Sequence, residues 1–279
     1  MRFYSETLAL PDSTFAILRD LIHERTGLYY DNGKQDLLAD KLSPRVLECG
    51  FNSFLDYYYM LRYDTDAQAE WERVMDLLSV QETYFWREAD QIQALVDVIV
   101  PNYFAQGRPA PLRIWSAACA TGEEPLSIAM ALNEAGWLGR AAIEIYGSDA
   151  SPSAIARAKA GVYRERSFRN LPAPLRARYF TATDAGWRIA PELHARIHWQ
   201  VANLMAPAEV EHLARAAVIF CRNVFIYFSE EAIRKTVRLF AQYMPSPGYL
   251  FVGASESLLR LTNDFDLQEV GGAFVYVKK

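Results

Sequence analysis

The stretch "IWSAACATGEEPLSIAM", residues 114–130, decides the fold. It reads as an apolar strand, a tight turn of small residues and the start of a helix. In open parallel sheets that layout places a turn at the carboxyl end of a strand, where ligands bind. The turn holds one glycine, Gly122, where a dinucleotide-binding loop holds three. Ser116, Ala117, Ala118, Ala120 and Gly122 let the backbone approach a ligand closely. The helix then opens with Glu123 and Glu124. Two carboxylates repel phosphate, which argues against NAD or ATP, and they suit a cationic ligand bearing an ammonium or sulfonium. The same pair would also suit the positive end of the helix dipole with no ligand at all.

Working outward, the rest of the C-terminal half alternates strand and helix. "AIEIYGSD" is a strand, and "SPSAIARAKAG" is a helix with Ser151 at the cap, Pro152 in the first turn and Gly161 past the end. "AVIFCRN" is an apolar strand, followed by the helix "SEEAIRKTVRLFAQYM" capped by Ser229. "YLFVGAS" is another strand, and "DLQEVGGAFVYVKK" is a hairpin around Gly271 and Gly272. This alternation implies an α/β fold with a mostly parallel, doubly wound sheet and an antiparallel pair at one edge. Residues 171–204 break the rhythm with short strand-like pieces, read as a small β insertion at about 171–202. Asp149 ends the second strand, where ribose hydroxyls are commonly held, although it also suits a helix cap. Asn223 ends a further strand at the same edge.

The front of the chain is helical. "DSTFAILRDLIHERTG" opens with cap residues Asp12 and Ser13, carries Phe15, Leu18 and Ile22 at helical spacing and closes at Gly27. "KQDLLADKLSPRVLECG" is a second helix, interrupted near Pro44. "NSFLDYYYMLRYD" and "DAQAEWERVMDLLSV" make a third and a fourth. The organisation expected is an all-α domain over 1–80, a linking helical segment over 81–110 and a ligand-binding α/β domain over 111–279.

Composition narrows the function. The chain has 279 residues, 51% hydrophobic and 23% charged, as an ordinary globular protein has. A formal net charge of -5 argues against broad capture of nucleic acid. Cys49, Cys119 and Cys221 show no CxxC spacing, and His23, His194, His198 and His212 are scattered, so neither a disulfide framework nor a metal is expected. The start shows no signal peptide, and no stretch reaches the ~20 apolar residues that span a bilayer. A soluble, cytoplasmic protein is expected.

Five blocks, "VQETYFWRE", "IWSAACATGEEPLSIAM", "YGSDASPSAIARAKAGVY", "WQVANLM" and "FCRNVFIYF", occur in an order that resembles the CheR-type chemoreceptor methyltransferases. The resemblance covers nearly the whole chain, and "TGEEP" with "CRNVFIYF" is its most specific pair. It implies a Rossmann-like methyltransferase fold with an all-α N-terminal receptor-docking domain. It also implies transfer of the methyl of S-adenosylmethionine to glutamate side chains of chemoreceptor cytoplasmic helices, without a metal. By the same resemblance Glu123 and Asp149 contact the cofactor, Ala117 lies in the loop beneath it, and Asn203 and Leu204 approach the adenine. Asn223 ends the fourth strand, Thr83 and Arg87 reach the cofactor and the reacting site from the helical side, and Tyr227 faces the reaction centre. Gln81 stands where the family usually has Asn, offering the same amide on a longer stem.

Such a transfer is an in-line displacement by a carboxylate already ionised at neutral pH, so no general base is needed and positioning dominates. Arg87 suits the spectator oxygen of the substrate carboxylate. Residues 1–80 hold 8 Lys plus Arg against 14 Asp plus Glu, leaving either a local stripe of Lys34, Lys41 and Arg45 for docking or an ordinary solvated face. The short "YFTATDAGWRIAPEL" favours a member that needs no pentapeptide tether at the receptor's C-terminus. Competing readings are a small-molecule methyltransferase and a catalytically weak S-adenosylmethionine-binding regulatory module. A monomer is expected.

Overall fold

The computed structural model describes residues 7–107 and 110–279. Four helices form the front: α1 (Asp12–Thr26), α2 (Gln35–Glu48), α3 (Phe54–Tyr63) and α4 (Gln68–Leu78). Phe15, Leu18 and Ile22 of α1 pack with Leu38, Leu42, Val46, Tyr57, Trp71 and Val74 into one core. Two local expectations are corrected. The cap position of α1 falls on Pro11, with Asp12 already in the first turn. Helix α2 continues through Pro44 without a break. An interior proline costs about 3 kcal/mol. Here Leu38, Leu42 and Val46 are fully buried along the same helix, and that burial outweighs the cost. The expected close at Gly27 is observed, in left-handed backbone with φ +75, and a Cβ there would lie 2.8 Å from the Phe228 ring.

The basic stripe is not free. Lys41 donates to the carbonyl of Leu78 at 3.2 Å, Lys34 lies 3.3 Å from Asp31, and Arg45 binds both Glu48 and Glu70. Glu70 is nearly buried and accepts from Arg45 Nε at 2.8 Å and from the Tyr57 hydroxyl at 2.6 Å.

Helix α5 (Ala89–Ala94) passes through a π turn (Leu95–Ile99) into α6 (Val100–Ala105). Pro101 lacks the N–H an α-helix would require there, and the wider turn precedes it. The α/β domain then runs β1 (Leu112–Ala117), α7 (Glu123–Glu134), α8 (Trp137–Arg140), β2 (Ile143–Asp149) and α9 (Pro152–Ala160). It continues with β3 (Val162–Tyr163), α10 (Ala173–Tyr179), β4 (Phe180–Thr183), β5 (Gly186–Ile189), α11 (Pro191–His194), β6 (Ile197–Val201) and α12 (Pro207–Val210). β7 (Val218–Phe220), α13 (Glu230–Tyr243), β8 (Tyr249–Phe251), β9 (Phe265–Val270) and β10 (Ala273–Lys278) complete it.

The main sheet has the order β6-β2-β1-β7-β8-β10-β9. Its first five strands are parallel, and β10 is antiparallel to both neighbours, as the alternation and the glycine hairpin imply. The pleat sends Ile114 into the core on one face and Trp115 into the core on the other. From β1 the chain moves outward to β2 and β6, then returns to β7 on the opposite side of β1. The switch point, and hence the crevice, lies at the carboxyl ends of β1 and β7.

The insertion differs from expectation at both ends. Its sheet, β3-β5-β4, takes its first strand from Val162–Tyr163, upstream of 171. Ile197–Val201, read as part of the insertion, is β6, an edge strand of the main sheet paired with β2. Its mixed polar composition follows from having one open edge and a partly exposed face.

Burial pushes the Glu70 carboxyl up, but its hydrogen bonds from Arg45 and Tyr57 outweigh this and hold it below the usual carboxylate value. A depressed pKa contributes stability that is present above the unfolded-state value of about 4.3 and is lost as pH falls through the folded one. Glu70→Gln is expected to cost about 1–3 kcal/mol at pH 7 and to flatten the loss of stability below about pH 4.5. Urea unfolding of both proteins across pH 3–7 checks this; parallel pH profiles would remove Glu70 from the account.

Candidate active site

A cleft of about 940 Å³, part of it open to solvent, lies between the strand ends of the main sheet and the segment joining α4 to α5. Its floor is the loop after β1. Ala118 and Ala120 both adopt left-handed backbone, with φ of 56 and 47. At Gly122 φ is +94, and a Cβ would meet the Trp199 ring at 2.7 Å, so only glycine fits. Asp149, at the end of β2, accepts from the Ala120 N–H and the Ser151 N–H, each at 2.9 Å. It is nearly buried, and that burial pushes its carboxyl up from the ordinary value. Ser151 caps α9 through the Ala154 N–H as expected, donates to Asp76 of α4 and accepts from the Gln81 side-chain amide at 3.0 Å.

The far wall depends on a buried cation. Arg222 has a side chain 2% exposed. Its Nε donates to Glu124 at 2.6 Å, its Nη2 to the Arg87 carbonyl at 2.9 Å and its Nη1 to Gln91 Oε1 at 3.1 Å. Glu124 accepts a second bond from Ser116 at 2.6 Å. Beside it, Glu256 accepts backbone N–H groups from Gly253 at 2.7 Å, Asn223 at 2.8 Å and Ile226 at 3.2 Å. That clamp holds Asn223 at a left-handed φ of 59 and fixes the turn carrying Tyr227.

Among the described residues, five non-glycine positions have left-handed φ: Trp86, Glu88, Ala118, Ala120 and Asn223. Ala118, Ala120 and Asn223 line the cleft, and Trp86 and Glu88 flank Arg87. Such backbone costs on the order of 1–3 kcal/mol per residue and collects where a site requires it.

Of the residues expected from sequence, Gln81, Thr83, Arg87, Asp149, Asn203, Leu204, Asn223 and Tyr227 line this cleft together. Arg87 is a quarter exposed. It donates to the Glu82 carbonyl at 3.2 Å and lies over the Tyr84 ring, with its closest carboxylate, Glu88, 3.9 Å away. Asn203 has its side chain engaged at both ends, donating to the Arg25 carbonyl at 2.7 Å and accepting from the Met205 N–H. Two expectations are corrected. Glu123 points away from the cleft, accepting from Thr121 at 2.6 Å and Ser167 at 2.9 Å, with its carboxyl pushed up by burial. Its neighbour Glu124 faces the cleft instead. Ala117 is the last residue of β1 and buried in the sheet core, whereas Ala118 and Ala120 line the floor. Adjacent helical residues differ by about 100° in direction, which a pattern of two glutamates does not resolve. The sequence pattern does not mark Arg222, Glu256 or Asp76. Arg222 stood inside the quoted "CRN", but nothing local marks it as buried, and Asp76 and Glu256 act across long sequence separations.

Comparison with known proteins agrees with the geometry. The family described as CheR methyltransferase, SAM binding domain, matches residues 81–272, and the CheR methyltransferase all-alpha domain matches residues 13–79. The chain is 33% identical over 275 residues to chemotaxis protein methyltransferase 2 of Vibrio cholerae, covering 97% of this chain and 94% of that one. It is 31% identical over 268 residues to the chemotaxis protein methyltransferase of Escherichia coli, with 95% and 91% covered. It is 29% identical over 279 residues to chemotaxis protein methyltransferase 1 of Pseudomonas aeruginosa, with 98% and 100% covered. With both of the family's domains matched in order and a cleft at the strand ends of the second, the chain belongs to the CheR family of S-adenosylmethionine-dependent methyltransferases.

Proposed function

We propose that this methyltransferase esterifies glutamate side chains on the helical cytoplasmic domain of chemoreceptors, acting in the cytoplasm as a monomer and without a pentapeptide tether. The observation that carries the reading is Arg87, a guanidinium on the cleft wall held to a carboxylate only by a long 3.9 Å contact with Glu88, beside Asn223 and Tyr227. It offers a paired donor face to an incoming carboxylate.

The residues present fit the cofactor. Asp149 presents a carboxylate acceptor beside a floor of small side chains, Leu204 gives an apolar wall, and Gln81 and Thr83 supply polar groups from the helical side. Asp149 has no cationic partner among the described residues and gives the floor an acidic group, which suits a sulfonium, whereas Glu124 is paired with Arg222. When bound, S-adenosylmethionine supplies the electrophilic methyl group. The substrate glutamate is ionised at neutral pH and requires no base. Arg87 would hold its spectator oxygen, leaving the other free, while Tyr227 and Phe228 keep water from the cleft mouth. Glu256 and Arg222 act through the backbone, holding the turns that carry Asn223, Tyr227 and Arg87.

A small-molecule methyltransferase would have no use for an all-α domain bonded to the cleft. Here the Tyr29 N–H donates to the Tyr227 carbonyl at 2.9 Å, and His23 is 2.7 Å from Ser229. The two-residue turn between β4 and β5 supports the reading without a tether.

Incubation with methyl-labelled S-adenosylmethionine and a soluble receptor cytoplasmic fragment tests the function. Base-labile label released as methanol is the expected result; label stable to base, or none with cofactor binding intact, would overturn it. Arg87→Ala is expected to lower kcat by roughly a hundredfold with cofactor affinity changed little, measured by the same assay and by calorimetry. Near-normal turnover would remove its role. Asp149→Asn is expected to weaken cofactor binding by on the order of tenfold to a hundredfold, read by the same calorimetry.

A further inference from the structure

A guanidinium that must hold a substrate carboxylate faces two opposed demands. Its N–H groups have to stay clear of other carboxylates, yet its long flexible stem has to be kept from swinging. The surroundings of Arg87 meet both. Its Nη1 donates to the Glu82 carbonyl at 3.2 Å, and its guanidinium carbon lies 5.4 Å from the centre of the Tyr84 ring. An aromatic face attracts a cation through the flat side of the guanidinium and leaves the N–H edge free. The Glu82 carboxylate, which could otherwise close on Arg87, is taken by Arg169 at 2.6 Å. That bond from Arg169 holds the Glu82 carboxyl below the usual carboxylate value.

The Tyr84 ring is itself held in place. Arg169 lies 3.7 Å from its centre. The next residue, Phe85, is fully buried, with ring centres 4.8 Å from Tyr163, 5.0 Å from Phe180 and 5.3 Å from Phe168. The Phe85 N–H donates to the Ser167 carbonyl at 2.9 Å, and the Trp86 N–H donates to Ser127 Oγ at 3.0 Å. Trp86 then takes a left-handed φ of 65 between the ring and Arg87. Tyr84 and Arg87 both line the cleft, with Asn223 and Tyr227.

We propose that Tyr84 is a positioning residue whose ring aims the Arg87 guanidinium at the substrate carboxylate. This rests on the proposed glutamate substrate and on the proposed role of Arg87. Among the described residues, Arg87 is restrained by the Glu82 carbonyl, the Tyr84 ring and the long approach to Glu88. Of these, the ring bears on the plane of the guanidinium, and that plane sets which way the N–H edge faces. It does so without occupying a donor, so the paired edge stays available to an incoming carboxylate. A ring that merely shielded the cleft from water would act whether or not Arg87 were present. The two roles therefore differ in whether the effect of Tyr84 depends on Arg87.

The test is a double-mutant cycle on the full chain with Tyr84→Leu, Tyr84→Phe and Arg87→Ala. Methylation of a soluble receptor cytoplasmic fragment, cofactor affinity by calorimetry and the urea midpoint are measured for each. Tyr84 is half-buried, so leucine is accommodated there. Tyr84→Leu is expected to lower kcat by roughly three- to tenfold, with cofactor affinity and the urea midpoint unchanged. Tyr84→Phe keeps the ring and is expected to retain most of the wild-type kcat. In the Arg87→Ala background, Tyr84→Leu should cost nothing further. A readout independent of turnover is the nuclear magnetic resonance signal of the Arg87 Nε–H, assigned by its loss in Arg87→Ala. The ring current of Tyr84 displaces that signal, which should relax towards that of a free arginine in Tyr84→Leu and stay in place in Tyr84→Phe. Equal losses of kcat from Tyr84→Leu with and without Arg87 would overturn the proposal. So would normal kcat in Tyr84→Leu, a loss in Tyr84→Phe as large as in Tyr84→Leu, or an Arg87 signal that does not move. Normal turnover in Arg87→Ala would overturn the role of Arg87 and this inference with it. Impaired turnover there, with normal turnover in Tyr84→Leu, would overturn this inference alone. Fragment left unlabelled by the wild type would overturn the glutamate substrate and the positioning role together.

Discussion

A guanidinium taken out of water must have its N–H groups met by acceptors, or it is among the most costly groups a fold can bury. Arg222 meets that demand by drawing three separate segments to one point: Glu124 at the start of α7, Gln91 in α5, and the carbonyl oxygen of Arg87. The cleft wall follows from this. The backbone bearing Arg87 is set by a hydrogen bond to its own carbonyl, so its side chain is left to face the cleft. Glu124 is in turn set by Ser116 at the end of β1. Removing the cation would leave Glu124 with only its Ser116 bond and would strip a donor from Gln91 Oε1 and from the Arg87 carbonyl, so the parts of the network depend on one another.

Around this point the backbone is held in conformations that ordinary residues avoid. Glu256 restrains Asn223 by three main-chain bonds, and Asp149 restrains the Ala118–Ala120 floor by one. Carboxylates that accept from backbone N–H groups serve here as fasteners for loops. That division of labour leaves Arg87 as the group with spare donor capacity on the wall.

The sequence carried the architecture well because its signals were local and periodic. The strand–turn–helix at 114–130, the Ser151 and Ser229 caps and the Gly271–Gly272 hairpin each depend on neighbours a few residues away. It misjudged positions where tertiary packing overrode local chemistry. Pro44 sits inside an unbroken helix because buried leucines outweigh its cost, and Ile197–Val201 reads as a loose insertion because an edge strand keeps a polar face. Within the site, motif membership found eight lining residues but confused Glu123 with Glu124, since direction around a helix start depends on the left-handed Gly122 before it. Arg222 and Glu256 were illegible for a different reason: their importance lies in partners tens of residues away.

The seam between the two domains has a genealogical consequence. The Arg25 carbonyl holds Asn203, Asp76 meets the Ser151 cap, and Leu28 forms a bridge with Phe228 directly beneath the Gly27 turn. Each contact joins a main-chain or capping group of one domain to a cleft residue, or the neighbour of one, in the other. The two halves are therefore not interchangeable modules. A lineage that exchanged its front domain for that of a distant cousin would inherit a mismatched wall, and would have to rebuild these positions together. The shape of the cleft thus depends on both halves at once.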